Sequence, residues 1–177
     1  MHGVVVVRGS LLFSVIAIIA IGSSLTGCGP VYEAGSFDHY GRVDEPRVRA
    51  LGCLDVRMQP RGEGEVGRAW VAIDYELGNR CRSPIEVNLR DVWVYAEDAG
   101  GMTPMELHDP RAEVVPAVLD GEGYASEALA YVAVGDGLRE LGRLCVDVSR
   151  LVPDNEQQVA PVCFRRDGDA MRVEVYR

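Results

Sequence analysis

The chain contains no lysine: all 18 of its basic residues are arginine, and they are opposed by 27 aspartates and glutamates. The formal net charge is therefore −9. An acidic surface repels the phosphates of nucleic acids and anionic lipid headgroups, so neither is expected as a direct partner. Acidic residues are also absent before Glu33, and no Cys-x-x-Cys pair occurs anywhere. These two absences bear on the location of the protein and on the state of its cysteines.

The amino-terminal segment combines one arginine with a long apolar run. Arg8 is followed by Ser10–Ile21, which is almost wholly apolar, and then by small residues. This order is typical of a secretory signal peptide. Because residues 9–27 are also long enough to cross a bilayer, an uncleaved membrane helix is the alternative.

Four residues at the end of this segment, LTGC at Leu25–Cys28, resemble the lipobox of bacterial lipoproteins. The resemblance implies that residues 1–27 are a signal peptide that is removed, and that the Cys28 thiol carries a diacylglycerol. It also implies acylation of the new amino terminus. Each buried methylene contributes about 0.8 kcal/mol, so two or three acyl chains hold a protein firmly to a membrane.

The resemblance also predicts a location. In these lipoproteins an aspartate after the cysteine favours retention at the inner membrane, and here Gly29 follows. We therefore expect a protein of the cell envelope, anchored through lipid on Cys28, at the outer membrane if the organism has two membranes. No cofactor other than this covalent lipid is expected. Removing residues 1–27 takes away Arg8 and changes the formal charge from −9 to −10.

Four cysteines remain after removal of the signal peptide: Cys53, Cys81, Cys145 and Cys163. An even number in an exported chain predicts two disulfides. A zinc site is the alternative, but only His39 and His108 accompany the cysteines in the mature chain. We therefore expect no metal site.

Four cysteines can form two disulfides in three different ways. Cys145 and Cys163 are equidistant from Asp154, the centre of the sequence VPDNE. If the flanking segments pair as an antiparallel hairpin, these two cysteines face each other, with β-carbons about 4.5–5.5 Å apart. Cys53 then pairs with Cys81. A single bulge would displace the register, so the other pairings stay open.

The mature chain divides into a tether and one domain. Residues 28–48 mix glycine, proline and charge without periodicity, which predicts a flexible tether. From residue 49 to residue 177 apolar residues alternate with polar ones, which is typical of half-buried strands. One such set is Val71, Ile73, Tyr75 and Leu77. The alternation shifts phase near Arg90, which predicts a bulge or a crossing between sheets.

Seven or eight short strands in a domain of this length predict an all-β sandwich. The segments YELGNRCRSPIEVNL and VLDGEGYASEALAYVAV resemble the strand–turn–strand units of immunoglobulin-like domains in exported bacterial lipoproteins. The likeness covers roughly residues 51–148. It implies an immunoglobulin-like antiparallel β-sandwich, which in this chain is cross-linked by disulfides. Trp70, Trp93, Tyr95 and Tyr131 lie within alternating strands and are predicted to be core residues.

No pattern of catalytic residues accompanies these strands. His108-Asp109 could begin a triad with Ser126 or Ser149, but neither serine lies in a Gly-x-Ser-x-Gly turn. The glycine-rich residues 62–67, GEGEVG, precede a strand rather than a helix, so they do not predict a dinucleotide site. We expect a protein that is not an enzyme.

The expected role is that of a lipid-anchored binding or assembly module whose partner is another envelope protein. Two alternatives remain open. One is an envelope hydrolase that uses His108 with an acidic partner. The other is a solute- or cation-binding protein whose oxygen ligands come from the acidic turns at residues 120–122 and 167–169.

Overall fold

Strands dominate the part of the chain that the computed structural model describes. It describes residues 32, 36–38, 41–42, 47–63, 70–98, 101–108, 117–135, 141–153, 157–168 and 170–174. Several predicted features lie outside these residues: the signal peptide at 1–27, the lipidation site Cys28, and Asp109, which follows His108. Most of the predicted tether at 28–48 also lies outside them. Within the described ranges, no helix is long and apolar enough to cross a membrane.

The described elements are thirteen strands and one 3₁₀ turn at Leu89–Asp91. The strands are β1 (Ser36–Asp38), β2 (Gly41–Arg42), β3 (Val48–Leu51), β4 (Leu54–Glu63), β5 (Trp70–Asn79), β6 (Ile85–Val87), β7 (Trp93–Asp98), β8 (Gly101–Leu107), β9 (Ala117–Leu119), β10 (Tyr124–Ala133), β11 (Arg143–Asp147), β12 (Val162–Asp167) and β13 (Ala170–Val173).

Nine strands form one antiparallel sheet in the order β13-β12-β11-β7-β8-β10-β5-β4-β3. The pairs β1–β2 and β6–β9 form two small sheets. The all-β prediction is confirmed, but the strands are more numerous than the seven or eight predicted. One reason is the turn at Gly52-Cys53, where Leu51 pairs with Leu54 and Gly52 has a φ of 58°. The alternation there predicts one strand, whereas the structure has a two-residue hairpin.

The long sheet curls around a single core. Val71, Ile73, Tyr75 and Leu77 of β5 are all buried, as the alternation predicts. They belong to one apolar cluster with residues from the other end of the sheet, including Leu144 of β11 and Phe164 of β12. The curl brings β13 near β4.

Two disulfides connect the strands. Cys145 and Cys163 are directly opposed in the β11–β12 pair, with Cα atoms 4.1 Å apart. Cys53 is bonded to Cys81, with Cα atoms 5.4 Å apart. This is the connectivity that the hairpin argument favours, and the register about Asp154 is the predicted one.

The phase shift near Arg90 corresponds to the 3₁₀ turn Leu89–Asp91. Asn88 caps this turn by accepting a hydrogen bond from the Arg90 amide. The turn separates β6, which lies in a small sheet, from β7 in the long sheet. The shift therefore marks a change of sheet, one of the two outcomes that the sequence predicts.

Two described residues depart from the prediction of a flexible tether over residues 28–48. The side chains of Tyr32 and Phe37 are 6% and 1% exposed, and their ring centroids lie 5.5 Å apart. At these two positions the chain is packed against the domain rather than free of it.

Candidate functional site

The candidate site is a cleft beside strand β8, which lies between β7 and β10, at the point where the β7–β8 ladder ends. Residues 101–105 of β8 pair with β7, and residues 105–107 pair with β10. Met105 takes part in both ladders, opposite Val94 on β7 and Ala133 on β10. Beyond Met105 the β7–β8 ladder ends, although β7 remains paired with β11 on its other edge as far as Trp93. The two ladders on opposite edges of β8 are therefore staggered, and a gap opens between β7 and β8 beyond Met105.

The resulting cleft has a volume of about 480 Å³, which is within the range of small-ligand and side-chain pockets. One wall is formed by the 3₁₀ turn and the start of β7, and the other by the end of β8. Its lining residues are Leu89, Arg90, Val92, Trp93, Val94, Tyr95, Pro104, Met105, Glu106, Leu107 and Tyr131. Most of these are apolar. Arg90 and Glu106 are exposed and put opposite charges at the mouth.

An exposed tryptophan forms part of the cleft wall. Trp93 is 58% exposed, whereas Val92, just before β7, and Val94, on the other face of β7, are buried. The prediction that Trp93 is a core residue is therefore wrong. Alternation alone cannot tell which face of a central strand is covered, and here the aromatic side chain lies on the uncovered face.

A basic side chain covers one face of this tryptophan. The guanidinium carbon of Arg150 lies 4.7 Å from the ring centroid of Trp93, a cation–π contact worth about 0.5–1 kcal/mol at an exposed site. Arg150 follows Ser149, whose hydroxyl donates to Asp147 Oδ1 at 2.6 Å. The amide of Ser149 donates to the same oxygen at 2.9 Å. Ser149 thus stabilises the turn that presents Arg150.

One lining residue of the cleft, Tyr131, is paired in the core with Tyr75. Tyr75 donates a hydrogen bond from its hydroxyl to the hydroxyl oxygen of Tyr131 at 2.9 Å, deep in the core. Burial raises the pKa of Tyr131 to about 12. Burial also raises the pKa of Tyr75 well above its usual value, and the neighbouring Tyr131 adds to this. Both phenols therefore stay neutral at physiological pH, and Tyr131 meets the prediction of a core position.

His108, the candidate base, lies just beyond Leu107 and is not among the lining residues of the cleft. Its side chain is exposed, and its ring stacks on that of Trp70 with centroids 6.5 Å apart. Its backbone amide donates to the carbonyl oxygen of Ala130. Ser126 lies elsewhere, on the outer face of β10 opposite Glu76. The structure therefore does not bring His108 together with Ser126, while Asp109 lies outside the described residues.

Two carboxylates on the outer face of β5 form ion pairs, and the turn at residues 120–122 accepts a hydrogen bond through its backbone. Asp74 and Glu76, on the outer face of β5, pair with Arg61 and Arg57. In the turn at residues 120–122, the Asp120 carbonyl oxygen accepts a hydrogen bond from Asn79 Nδ2 at 2.9 Å. Across the described ranges, no cluster of three or more His, Cys, Asp or Glu side chains could hold a metal ion.

Comparisons with known proteins add little to this geometry. No family model matches the chain, and no curated protein matches it. The crystal structure of YcdA, a candidate lipoprotein of Bacillus subtilis, is similar with a TM-score of 0.48 and 13% identity. The likeness covers 71% of this chain and 39% of that protein. At this TM-score it assigns neither a fold family nor a function to the chain.

Sequence reasoning missed this cleft, although two signals lie at its walls. The phase shift near Arg90 marks the start of one wall. Pro104 in β8 marks the other, because proline within a strand indicates an edge or an interrupted ladder. Neither signal reveals that Leu89 and Leu107 lie across the same gap, since that depends on how the two ladders of β8 are staggered.

Proposed function

We propose that the protein is a lipid-anchored module of the cell envelope that binds a partner protein and catalyses no reaction. In this proposal the anchor is the lipid on Cys28, and the scaffold is an immunoglobulin-like sandwich. If the organism has two membranes, the location is the outer one. The support for the anchor is the LTGC sequence directly after the apolar run. The support for the scaffold is the antiparallel sheet that encloses a single core.

The observation that carries the binding role is the cleft between β7 and β8. It is open to solvent beside an exposed tryptophan, and its walls are mainly apolar. Exposed aromatic residues beside apolar pockets are characteristic of the centres of protein interfaces. We infer that the partner inserts an apolar side chain between Val92 and Leu107.

The charges around Trp93 indicate what flanks that side chain. Arg90 and Arg150 lie on the same side of the cleft, in a chain whose net charge is −9. Together with Glu106 at the mouth, these residues give two positive charges against one negative charge, and this balance favours an acidic group on the partner beside the inserted residue. The proposed partner segment therefore combines an apolar or aromatic anchor with a neighbouring carboxylate.

Site-specific photo-cross-linking in native membranes tests this role. A photoreactive amino acid replaces Glu106 at the mouth of the cleft, and in a matched variant it replaces Val118, which is 67% exposed on β9. We expect a discrete protein adduct from position 106 and none of the same mass from position 118. Leu107→Trp, which fills the cleft, should abolish the adduct, whereas Val118→Trp should not.

Two results would contradict the binding role. One is an adduct from position 106 that persists in the Leu107→Trp variant while that variant keeps its melting temperature. The other is the absence of any protein adduct from position 106 in membranes that contain the lipid-modified protein at its normal level.

A further inference from the structure

The Tyr32 ring lies against the sheet over Gly78, where any side chain on residue 78 would collide with it. Its ring covers Gly78 near the end of β5, and a β-carbon built on Gly78 would lie 2.2 Å from two ring atoms of Tyr32. Real β-carbons never approach a neighbour that closely, so only glycine permits this contact. The Tyr32 ring therefore packs directly against the backbone at Gly78.

Hydrogen bonds hold Tyr32 at its hydroxyl and at its backbone amide. The Tyr32 hydroxyl donates to Asp55 Oδ2 at 2.8 Å, and Asp55 is only 7% exposed. Arg80 Nε lies 3.0 Å from the other oxygen of that carboxylate. The backbone amide of Tyr32 donates to the carbonyl oxygen of Glu122 at 2.8 Å. These contacts join Tyr32 to β4, to the end of β5 and to the turn before β10.

We propose that this arrangement, the Tyr32 clasp (Tyr32, Gly78, Asp55, Arg80 and Glu122), orients the domain on the membrane. The inference rests on the proposed lipid anchor at Cys28. Cys28 precedes Tyr32 by four residues, which span at most about 14 Å when fully extended. The end of the sheet that carries Gly78 therefore faces the bilayer at close range.

The clasp sets the distance of the cleft from the membrane. Gly78 pairs with Tyr124, and Tyr131 lies seven residues further along β10. At about 3.4 Å per residue, Tyr131 is about 24 Å from the clasped end. The apolar cleft is thus held away from the acyl chains, and its partner is a protein segment in the aqueous part of the envelope rather than one at the bilayer surface.

Hydrogen exchange of the full-length mature protein in solution tests the clasp without reference to the membrane. We expect the Tyr32 amide to be protected, and Gly78→Ala to raise its exchange rate by more than about tenfold, because the new β-carbon displaces the ring. Gly142→Ala is the matched control, since a β-carbon there meets nothing within 4 Å. An unprotected Tyr32 amide in the unmodified protein would overturn the proposal.

Energy transfer in vesicles then tests the orientation. A fluorescent amino acid at Glu106 is the donor, and labelled headgroups of the lipid vesicles are the acceptor. We expect a narrow distribution of low transfer for the natural chain, and higher, broader transfer for Tyr32→Ala. Tyr32→Phe, which loses only the bond to Asp55, should be intermediate. Equal transfer in all three proteins would overturn the orientation.

The two proposals fail separately. Cys28→Ala protein that lacks residues 1–27 and still binds vesicles would refute the lipid anchor but would leave the Tyr32 protection unchanged. If the lipid-modified protein is bound to membranes but its Tyr32 amide is not protected, the clasp is refuted and the lipid anchor is not.

Discussion

Asn79, at the residue scale, connects two loops through one buried amide. Its side chain is fully buried. Nδ2 donates to the carbonyl oxygens of Ser83 and Asp120, at 2.8 and 2.9 Å. Oδ1 accepts from the Cys81 amide at 2.9 Å. This one side chain therefore fixes the turn after β5 against the turn before β10.

Removing that amide leaves several buried backbone groups without a partner. We expect Asn79→Ala to lower the free energy of unfolding by about 2–4 kcal/mol, measured by urea denaturation. Asn88→Ala, which removes an exposed cap of the 3₁₀ turn, should cost about 1 kcal/mol or less. Equal losses in the two variants would show that burial of Asn79 is not the cause.

The tyrosine pair makes stability depend on alkaline pH. The pKa of Tyr131 is raised to about 12 in the folded chain, compared with about 10 when unfolded. The neutral form is favoured by folding, so its contribution is fully present below pH 10. It is lost as the pH rises from 10 towards 12, because the unfolded chain then releases protons that the folded chain retains.

We therefore expect the urea midpoint of the protein to fall steeply between pH 10 and 12. The decline should be shallower for Tyr131→Phe, which no longer has this hydroxyl to ionise. Tyr124→Phe is the control, because the Tyr124 hydroxyl donates to Glu76 on the outer face and its removal should leave the decline intact. Identical slopes for Tyr131→Phe and the unchanged protein would contradict this assignment.

At the scale of elements, the β11–β12 hairpin is held by a cross-strand disulfide. Cys145 and Cys163 are separated by 18 residues in sequence, and a cross-link over a loop of this length contributes about 3 kcal/mol. We expect the double change Cys145→Ala with Cys163→Ala to lower the free energy of unfolding by about that amount.

The measurement is urea denaturation with and without a reducing agent. Reduction should destabilise the double variant less than the unchanged protein, because only the Cys53–Cys81 bond remains to be broken. If reduction affected both proteins equally, the Cys145–Cys163 bond would not contribute to stability.

On the scale of the whole molecule, one arginine joins the edge strand β3 to the chain that enters β12. Arg49 donates from Nε to the carbonyl oxygen of Ala160 at 2.7 Å and from Nη2 to that of Pro161 at 3.1 Å. Partial burial lowers the pKa of Arg49, but the group stays charged at any physiological pH. The curled sheet is thus closed here by a side chain rather than by strand pairing.

Arg49→Gln should therefore loosen the closure, because a glutamine cannot reach both carbonyl oxygens. We expect a loss of about 1–2 kcal/mol in the free energy of unfolding. Relative to the unchanged protein, amide exchange should become faster in β3 but not in β5. Arg61→Gln, which breaks an exposed pair with Asp74, should cost less than about 0.5 kcal/mol. An equal increase in amide exchange in β3 and β5, relative to the unchanged protein, would contradict a local role for Arg49.

Local patterns in the sequence determined the strands and one register. Alternation placed Val71, Ile73 and Tyr75 on the buried face of β5, because successive side chains of a strand point to opposite faces. The symmetric spacing of Cys145 and Cys163 about Asp154 predicted their opposition. Both properties depend only on residues that are near in sequence, or on a hairpin whose turn sets its own register.

Only the tertiary structure decided where the sheet opens and what it covers. The cleft exists because the β7–β8 ladder ends at Met105 while β8 continues beside β10, and the exposure of Trp93 depends on which face of β7 remains uncovered. The packing of Tyr32 on Gly78 joins residues 46 positions apart in sequence. Each of these is a contact between segments that are remote along the chain, and alternation or turn signals within a segment carry no information about them.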